Sequence, residues 1–307
     1  MADKIQAWIY AFRLRTLPLA FSSIITGSAI AFVLHRHSFS WIVFGLCLLT
    51  TLLLQILSNL ANDYGDSEKG TDNDSRIGPK RAVQAGLLNY SEIKAGMFVA
   101  TLLSLVSGCT LIYAAFQNFD WGYSSLFFLL GISAIAAAIK YTVGKTAYGY
   151  QGLGDVFVFL FFGIVGVCGS FFLQAKAIDY SLLLPSCSIG FLAAGVLNLN
   201  NMRDAVSDAA AGKNTLVVKI GVENAKLYHT LLIAGAYLGA FAFVVIHFTS
   251  TMQFLFMLTI PLLRKHWATV QQVQNPVDFD PQLKVLAIST FLFSILFSAG
   301  WIIGAWG

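Results

Sequence analysis

Two stretches of this chain carry one pattern of amides and carboxylates. The first reads NLANDYGDSEKGTDNDSRIGPKRAVQAGLL from Asn59, and the second reads NLNNMRDAVSDAAAGKNTLVVKIG from Asn198. In each, N-L-x-N closes an apolar run and acids follow at helical spacing. Asn62 and Asp66 stand four residues apart and Asp63 three from Asp66, so on a helix this amide and these carboxylates are surface neighbours. Asp204 and Asp208 repeat the four-residue step. Carboxylates crowded at one mouth repel one another unless they share a cation. Oxygen donors of this kind suit Mg²⁺, which binds through a few carboxylates together with substrate phosphates. The same loops supply Arg76, Lys80, Arg81, Arg203 and Lys213, and Lys140 and Lys145 lie between them in the chain. These read as a basic clamp for diphosphate oxygens, with Arg offering a planar fork and Lys a point charge, or as topology residues drawn to anionic lipid.

The elements that must position these groups follow from composition. Of 307 residues, 57% are hydrophobic and 11% charged, against about a quarter charged in a soluble domain, which excludes an ordinary soluble enzyme. The apolar residues come in runs near the length a helix needs to cross a bilayer. They fall at 18–35, 41–61, 95–116, 123–139, 153–174, 181–200, 227–247, 252–263 and 285–305, predicting an all-α polytopic membrane protein of about nine transmembrane helices. The eighth run is the weakest, cut by Pro261 and the Arg264–Lys265 pair. With a cytoplasmic N-terminus, all of the 19 Lys and Arg residues except Arg36 and Lys176 fall on inside segments, as the positive-inside rule requires. The whole chain, 1–307, reads as a single transmembrane domain.

This layout puts four crossings between Asn59 and Asn198, so both acidic stretches return to the same face. Ile5, Trp8, Ile9 and Phe12 predict a short amphipathic helix on the cytoplasmic surface ahead of the first span. Cys47, Cys109, Cys168 and Cys187 lie in apolar runs without paired spacing, which argues against a disulfide scaffold or a zinc site.

These residues resemble the UbiA-type membrane prenyltransferase superfamily, whose members carry N-x-x-x-D-x-x-x-D after the second span and D-x-x-x-D after the sixth. Asn62 and Asp66 match the first motif; its third position is Gly70 here, with Asp72 two residues on. Asp204 and Asp208 match the second, followed by Gly212, Lys213 and Thr215. RLRTLP from Arg13, YQGLGD at 150–155 and the two loops together resemble the 1,4-dihydroxy-2-naphthoate prenyltransferases of menaquinone synthesis, over residues 13 to about 220. GKTAYGY at 144–150 lacks the prolines of that group.

The resemblance implies an Mg²⁺-dependent enzyme of the cytoplasmic (inner) membrane, with its active site on the cytoplasmic side. It would transfer the polyprenyl group of an allylic diphosphate to 1,4-dihydroxy-2-naphthoate with loss of carbon dioxide, giving demethylmenaquinone. Partners are the two substrates and the lipid bilayer, and no nucleic acid. The implied metal and diphosphate ligands are Asn62, Asp63, Asp66, Asp72, Asp204 and Asp208. Asn59, Asn201, Arg76, Lys80, Arg81, Lys140, Lys145, Arg203 and Lys213 are the implied substrate contacts. Tyr141 would offer its ring face to the allylic cation, and Asp155 would orient or deprotonate the acceptor, unless it caps its helix. Two rival readings stand beside this one. A sister enzyme would use another aromatic acceptor with the same diphosphate chemistry. A transporter would need carboxylates near mid-membrane, where these spans have almost none.

Overall fold

The computed structural model of the chain describes residues 2–71, 77–116 and 120–305, and these fold into helices and connecting turns. Helix α1 (Ala2–Phe12) precedes α2 (Leu17–Leu34), α3 (Trp41–Glu68), α4 (Tyr90–Ala115) and α5 (Trp121–Lys140). A single helical span follows, in three parts: α6 (Gly154–Val158), a π-helical stretch (Phe159–Val165) and α7 (Gly166–Ala175). Beyond it lie α8 (Leu183–Ala210), α9 (Leu216–Ile220), α10 (Val222–Ile246), α11 (Ile260–Gln272) and α12 (Phe279–Gly304). Eight of the described helical segments are long and apolar enough to cross a bilayer, which makes this a multi-span membrane protein. The ninth expected span is built as a 3₁₀ stretch (Thr251–Thr259) running into α11. Pro261 sits in the first turn of α11, where its missing N–H costs nothing.

Starts of the long helices are written in the sequence. Asn89 and Glu92 form a reciprocal capping box at α4, Asp120 accepts from the N–H groups of Gly122 and Tyr123 at α5, and Ser40 caps α3. Packing between spans depends on small residues. A side chain at Gly163 would lie 2.6 Å from the Ser186 carbonyl oxygen, and one at Gly27 would lie 2.2 Å from that of Val167, so these helices meet backbone to backbone. Leucines and phenylalanines on the outer faces of α4 and α5, such as Phe98, Leu102 and Leu129, stay exposed and face lipid.

Helix α1 forms as expected but turns a different face inward. Ala7 and Ala11 are buried, with Trp8 and Phe12 packed beside them against Leu57, Leu60 and Ile93, while Ile5 and Ile9 remain exposed. The alanines allow a close approach, and the Trp8 ring lies over Gly96, where any Cβ would come within 2.6 Å of it. Four helical passages, α4, α5, α6–α7 and α8, separate the end of α3 from the end of α8, so the two acidic stretches emerge together.

Candidate active site

Both acidic motifs lie on the last turns of long helices that run past the apolar core. Asp66 and Asp208 are almost wholly buried, at 1% and 2% exposure. Lys213 links them: its Nζ lies 3.8 Å from Asp66 Oδ2 and 3.6 Å from Asp208 Oδ1. Asp66 also pairs with Arg81 at 2.6 Å and accepts a 2.7 Å hydrogen bond from the Tyr150 hydroxyl. Arg81 reaches back to the Asn62 carbonyl oxygen, which ties the loop after α3 to the helix it leaves. Oδ2 of Asp208 is buried with no hydrogen-bond partner among the described residues.

Arg203 organises the second motif. Its Nε and Nη2 fork onto both oxygens of Asp204, at 2.8 and 2.6 Å, and Nη1 pairs with Asp280 at the start of α12. Gly78 lies flat on this guanidinium; a methyl group there would come within 2.6 Å of Nη2. The loop of the first motif is thus seated on the central cation of the second.

A cavity of about 930 Å³ opens at this cluster. Asn62, Asp66, Arg81, Arg203 and Lys213 line its polar end, with Asn59, Lys80, Tyr141 and Tyr148 beside them. From there it descends between α2, α3, α4, α5 and α7 past Leu54, Ser104, Phe161 and Val165 to Cys47, Phe127 and Leu173. A charged mouth on an apolar shaft is shaped for an amphiphile with an anionic head.

Several expected site residues do not line the cavity, Asp204 and Asp208 among them; Asp208 reaches the mouth through Lys213 and Asp204 through Arg203. Asp63 is wholly buried and does not line the cavity; its carboxylate accepts from the N–H groups of Ala82 (2.9 Å) and Val83 (3.3 Å). Facing the loop instead of the mouth, it anchors the segment that carries Arg81 and is not arranged as a metal ligand. Asn201 is buried behind the cavity wall, and Lys140 and Lys145 are exposed and line no part of it. Asn59 donates to the Phe12 carbonyl and the Thr16 hydroxyl, so it straps the RLRTLP segment to α3. Asp72 and Arg76 lie outside the described residues.

Asp155 also stands away from the cavity. It is buried in the first turn of α6, with its charge felt by the Tyr228 phenol of α10. Asp155→Asn keeps the shape and the acceptor oxygen, so prenyl transfer is expected to stay within about threefold of wild type, whereas loss of a proton acceptor costs about 10² to 10⁴. Steady-state turnover with purified variant decides this, and a hundredfold loss would return Asp155 to the reacting centre.

Tyr150, the first residue of YQGLGD, has no partner legible in the sequence because a lone Tyr in a loop carries no spacing signal. It bonds Asp66 and the Thr71 hydroxyl (2.6 Å), and Lys69 and Lys213 lie 3.8 and 5.4 Å from its ring centre. Burial, then the Asp66 charge, push its phenol well above the usual range, so it stays a neutral donor. Burial likewise raises Tyr141, whose ring stands edge-on to Tyr148 at 5.3 Å. Thr142, wholly buried, ties α3 to the turn after α5 by donating to the Ala61 carbonyl at 2.8 Å, and Gly65 leaves it room: a side chain there would lie 2.7 Å from the Thr142 backbone.

Residues 21–278 match the model of the UbiA prenyltransferase family. The chain belongs to that family. Relatives include the 1,4-dihydroxy-2-naphthoate octaprenyltransferases of Haemophilus influenzae, 46% identical over 98% of this chain and 97% of that one, and of Escherichia coli, 42% identical over 99% and 97%. Among solved structures, a UbiA homologue from Aeropyrum pernix superposes with a TM-score of 0.66 at 16% identity, covering 95% of this chain and 98% of that one. One from Archaeoglobus fulgidus, bound to GPP and Mg²⁺, has a TM-score of 0.58 at 16% identity, covering 93% and 99%. At this identity the structural matches speak for the family fold. The match to the family model takes in both acidic motifs.

Proposed function

We propose that this protein transfers the polyprenyl group of an allylic polyprenyl diphosphate to 1,4-dihydroxy-2-naphthoate, releasing diphosphate and carbon dioxide. Near-full-length identity to relatives named for that reaction carries the reading. The cavity agrees with it, since an acid-and-base mouth opening on an apolar shaft suits a diphosphate with a long hydrocarbon tail.

The donor set fits Mg²⁺. Asp66 and Asp208 offer hard oxygens on either side of Lys213, Asn62 adds an amide oxygen, and the partnerless Asp208 Oδ2 is an acceptor suited to a cation. Among the described residues no three acidic, His or Cys side chains converge as a closed metal cage, so these groups would hold the ion only together with substrate phosphates. When bound, magnesium would neutralise charge building on the leaving diphosphate. Asp204 joins only if the Arg203 fork opens, because both its oxygens are taken.

The chain's own groups do the rest. Lys213 and Arg81 are already desolvated at the mouth and would turn from Asp66 toward diphosphate oxygens as the donor enters. The apolar shaft holds the tail straight and keeps water from the allylic carbon. Tyr141 and Tyr148, the latter stacked on Phe157 at 4.0 Å, form an aromatic wall for the cation and the naphthalene ring. As the allylic C–O bond breaks and the diphosphate leaves with its electron pair, the ring carbon bearing the carboxylate attacks the allylic cation. The C–COO⁻ electron pair then restores the aromatic ring as carbon dioxide leaves, so no ring proton has to be removed. The product is the prenylated naphthoquinol, the reduced form of demethylmenaquinone.

The bias of basic residues toward one set of loops supports a cytoplasmic mouth in the inner membrane. Purified protein with octaprenyl diphosphate and Mg²⁺ is expected to prenylate 1,4-dihydroxy-2-naphthoate with stoichiometric carbon dioxide, to leave 4-hydroxybenzoate unreacted, and to stop when the metal is chelated. Benzoate prenylation without carbon dioxide would overturn the acceptor assignment. Mass spectrometry of the products distinguishes the two.

A further inference from the structure

One wall of the cavity mouth comes from α8 and α12, and two contacts set the register between these helices. Arg203 of α8 meets Asp280 of α12, and two turns further along α8 Gly195 faces Leu286, where a Cβ would come within 3.1 Å of the leucine side chain. Between those points the helices run antiparallel, which brings Lys284 level with Leu197, and both residues line the cavity. Leu197 stands beside Tyr141 in turn: a Cβ on Gly154 would lie 3.2 Å from Leu197 Cδ2 and 3.3 Å from the Tyr141 hydroxyl oxygen. Lys284 and Tyr141 therefore border one slot, with the apolar Leu197 between them.

The charges at the mouth are unevenly matched. Arg81 and Lys213 are held by Asp66 and Asp208, and Arg203 by Asp204 and Asp280. Lys284 is exposed and pairs with no carboxylate among the described residues. The acid one turn before it on α12, Asp280, is already taken by Arg203. Arg15, ahead of α2, and Lys80, next to Arg81, also line the cavity without an ion pair among the described residues. Lys80 adjoins the diphosphate clamp, and the register with Leu197 and Tyr141 singles out Lys284.

We infer that Lys284 takes the carboxylate of the aromatic acceptor and makes the protein select aromatic acids over neutral rings of the same shape. The acceptor enters as a second anion beside a diphosphate, and like charges brought together need counter-charge of their own. Lys284 lies about 6 Å, one helical turn, beyond Asp280, so a ring held against it and Tyr141 keeps its carboxylate-bearing carbon near the mouth, where the allylic carbon comes free. The carboxylate departs only after the new carbon–carbon bond has formed. The contact thus serves capture of the acceptor and appears in its KM, while kcat and donor binding stay close to wild type.

The inference rests on the proposed acceptor class, which prenylation of 1,4-dihydroxy-2-naphthoate by the unaltered protein tests separately; the experiment here is a binding measurement that needs no turnover. Purified protein holding Mg²⁺ and an unreactive prenyl diphosphate analogue is titrated in a calorimeter with naphthalene-2-carboxylate and with naphthalene-2-carboxamide, its neutral counterpart. Lys284→Gln should weaken the carboxylate about tenfold and leave the carboxamide within about twofold, the size of one charge-assisted hydrogen bond. Lys284→Arg should restore the preference for the acid. Equal weakening of both ligands would mark a structural role, and an unchanged preference would leave Lys284 as a lysine facing lipid headgroups; either result overturns the inference. So would a wild type that does not distinguish the two ligands, or a preference lost in Arg15→Gln or Lys80→Gln and kept in Lys284→Gln.

Discussion

Asp66→Asn and Asp208→Asn are each expected to lower prenyl transfer by about 10³-fold or more while the protein stays folded and inserted. The amide is nearly isosteric, so the mouth keeps its shape, and the amide oxygen introduced by Asp66→Asn could still accept from Tyr150. What disappears is charge. Asp66 faces Arg81 and Lys213, and Asp208 shares Lys213 with it, so neutralising either one leaves desolvated cations short of counter-charge and a metal with one ligand fewer. Two readouts separate the effects: kcat/KM at saturating Mg²⁺, and retention of a non-reacting donor analogue. A variant retaining more than about a tenth of wild-type activity, a barrier change of only about 1.4 kcal/mol, would remove that residue from the metal site.

Arg203→Met should cost about 3 kcal/mol of stability, the penalty for leaving the buried Asp204 carboxylate without its partner, with the half-exposed Asp280 adding little. The guanidinium is 3% exposed and holds Asp204 with a two-pronged fork, Asp280 with a third N–H and the Asn200 side chain at 2.9 Å. Methionine fills the volume and satisfies none of them. Pairing the change with Asp204→Asn should restore part of the loss, since one of the orphaned charges goes with it. Thermal unfolding in detergent checks both variants. A melting temperature unchanged in Arg203→Met would mean that the fork adds nothing to the fold, and that Gly78 packs on a dispensable group.

Much of the molecule follows from sequence alone, because bilayer physics leaves few alternatives. A run such as 41–61 must cross as a helix, since an unpaired backbone in hydrocarbon is prohibitive. Four crossings between Asn59 and Asn198 must then return both acidic motifs to one face, and Lys213 spanning Asp66 and Asp208 is the consequence. The ninth span was legible only as a weak run, because Pro261 and the Arg264–Lys265 pair sit where α11 begins.

Only tertiary packing decided which acids look into the mouth. Asp63 and Asp66 are three residues apart on one helix and equally acidic as letters. The rotation of α3, set by Gly65 against Thr142 on one side and α1 on another, turns Asp66 into the cavity and Asp63 onto the N–H groups of Ala82 and Val83. The same holds for Asp280, which the chain brings to Arg203 from the start of α12. Spacing along a helix specifies which residues are neighbours. Which of those neighbours meets substrate depends on how the helix is turned, and contacts from distant parts of the chain set that angle.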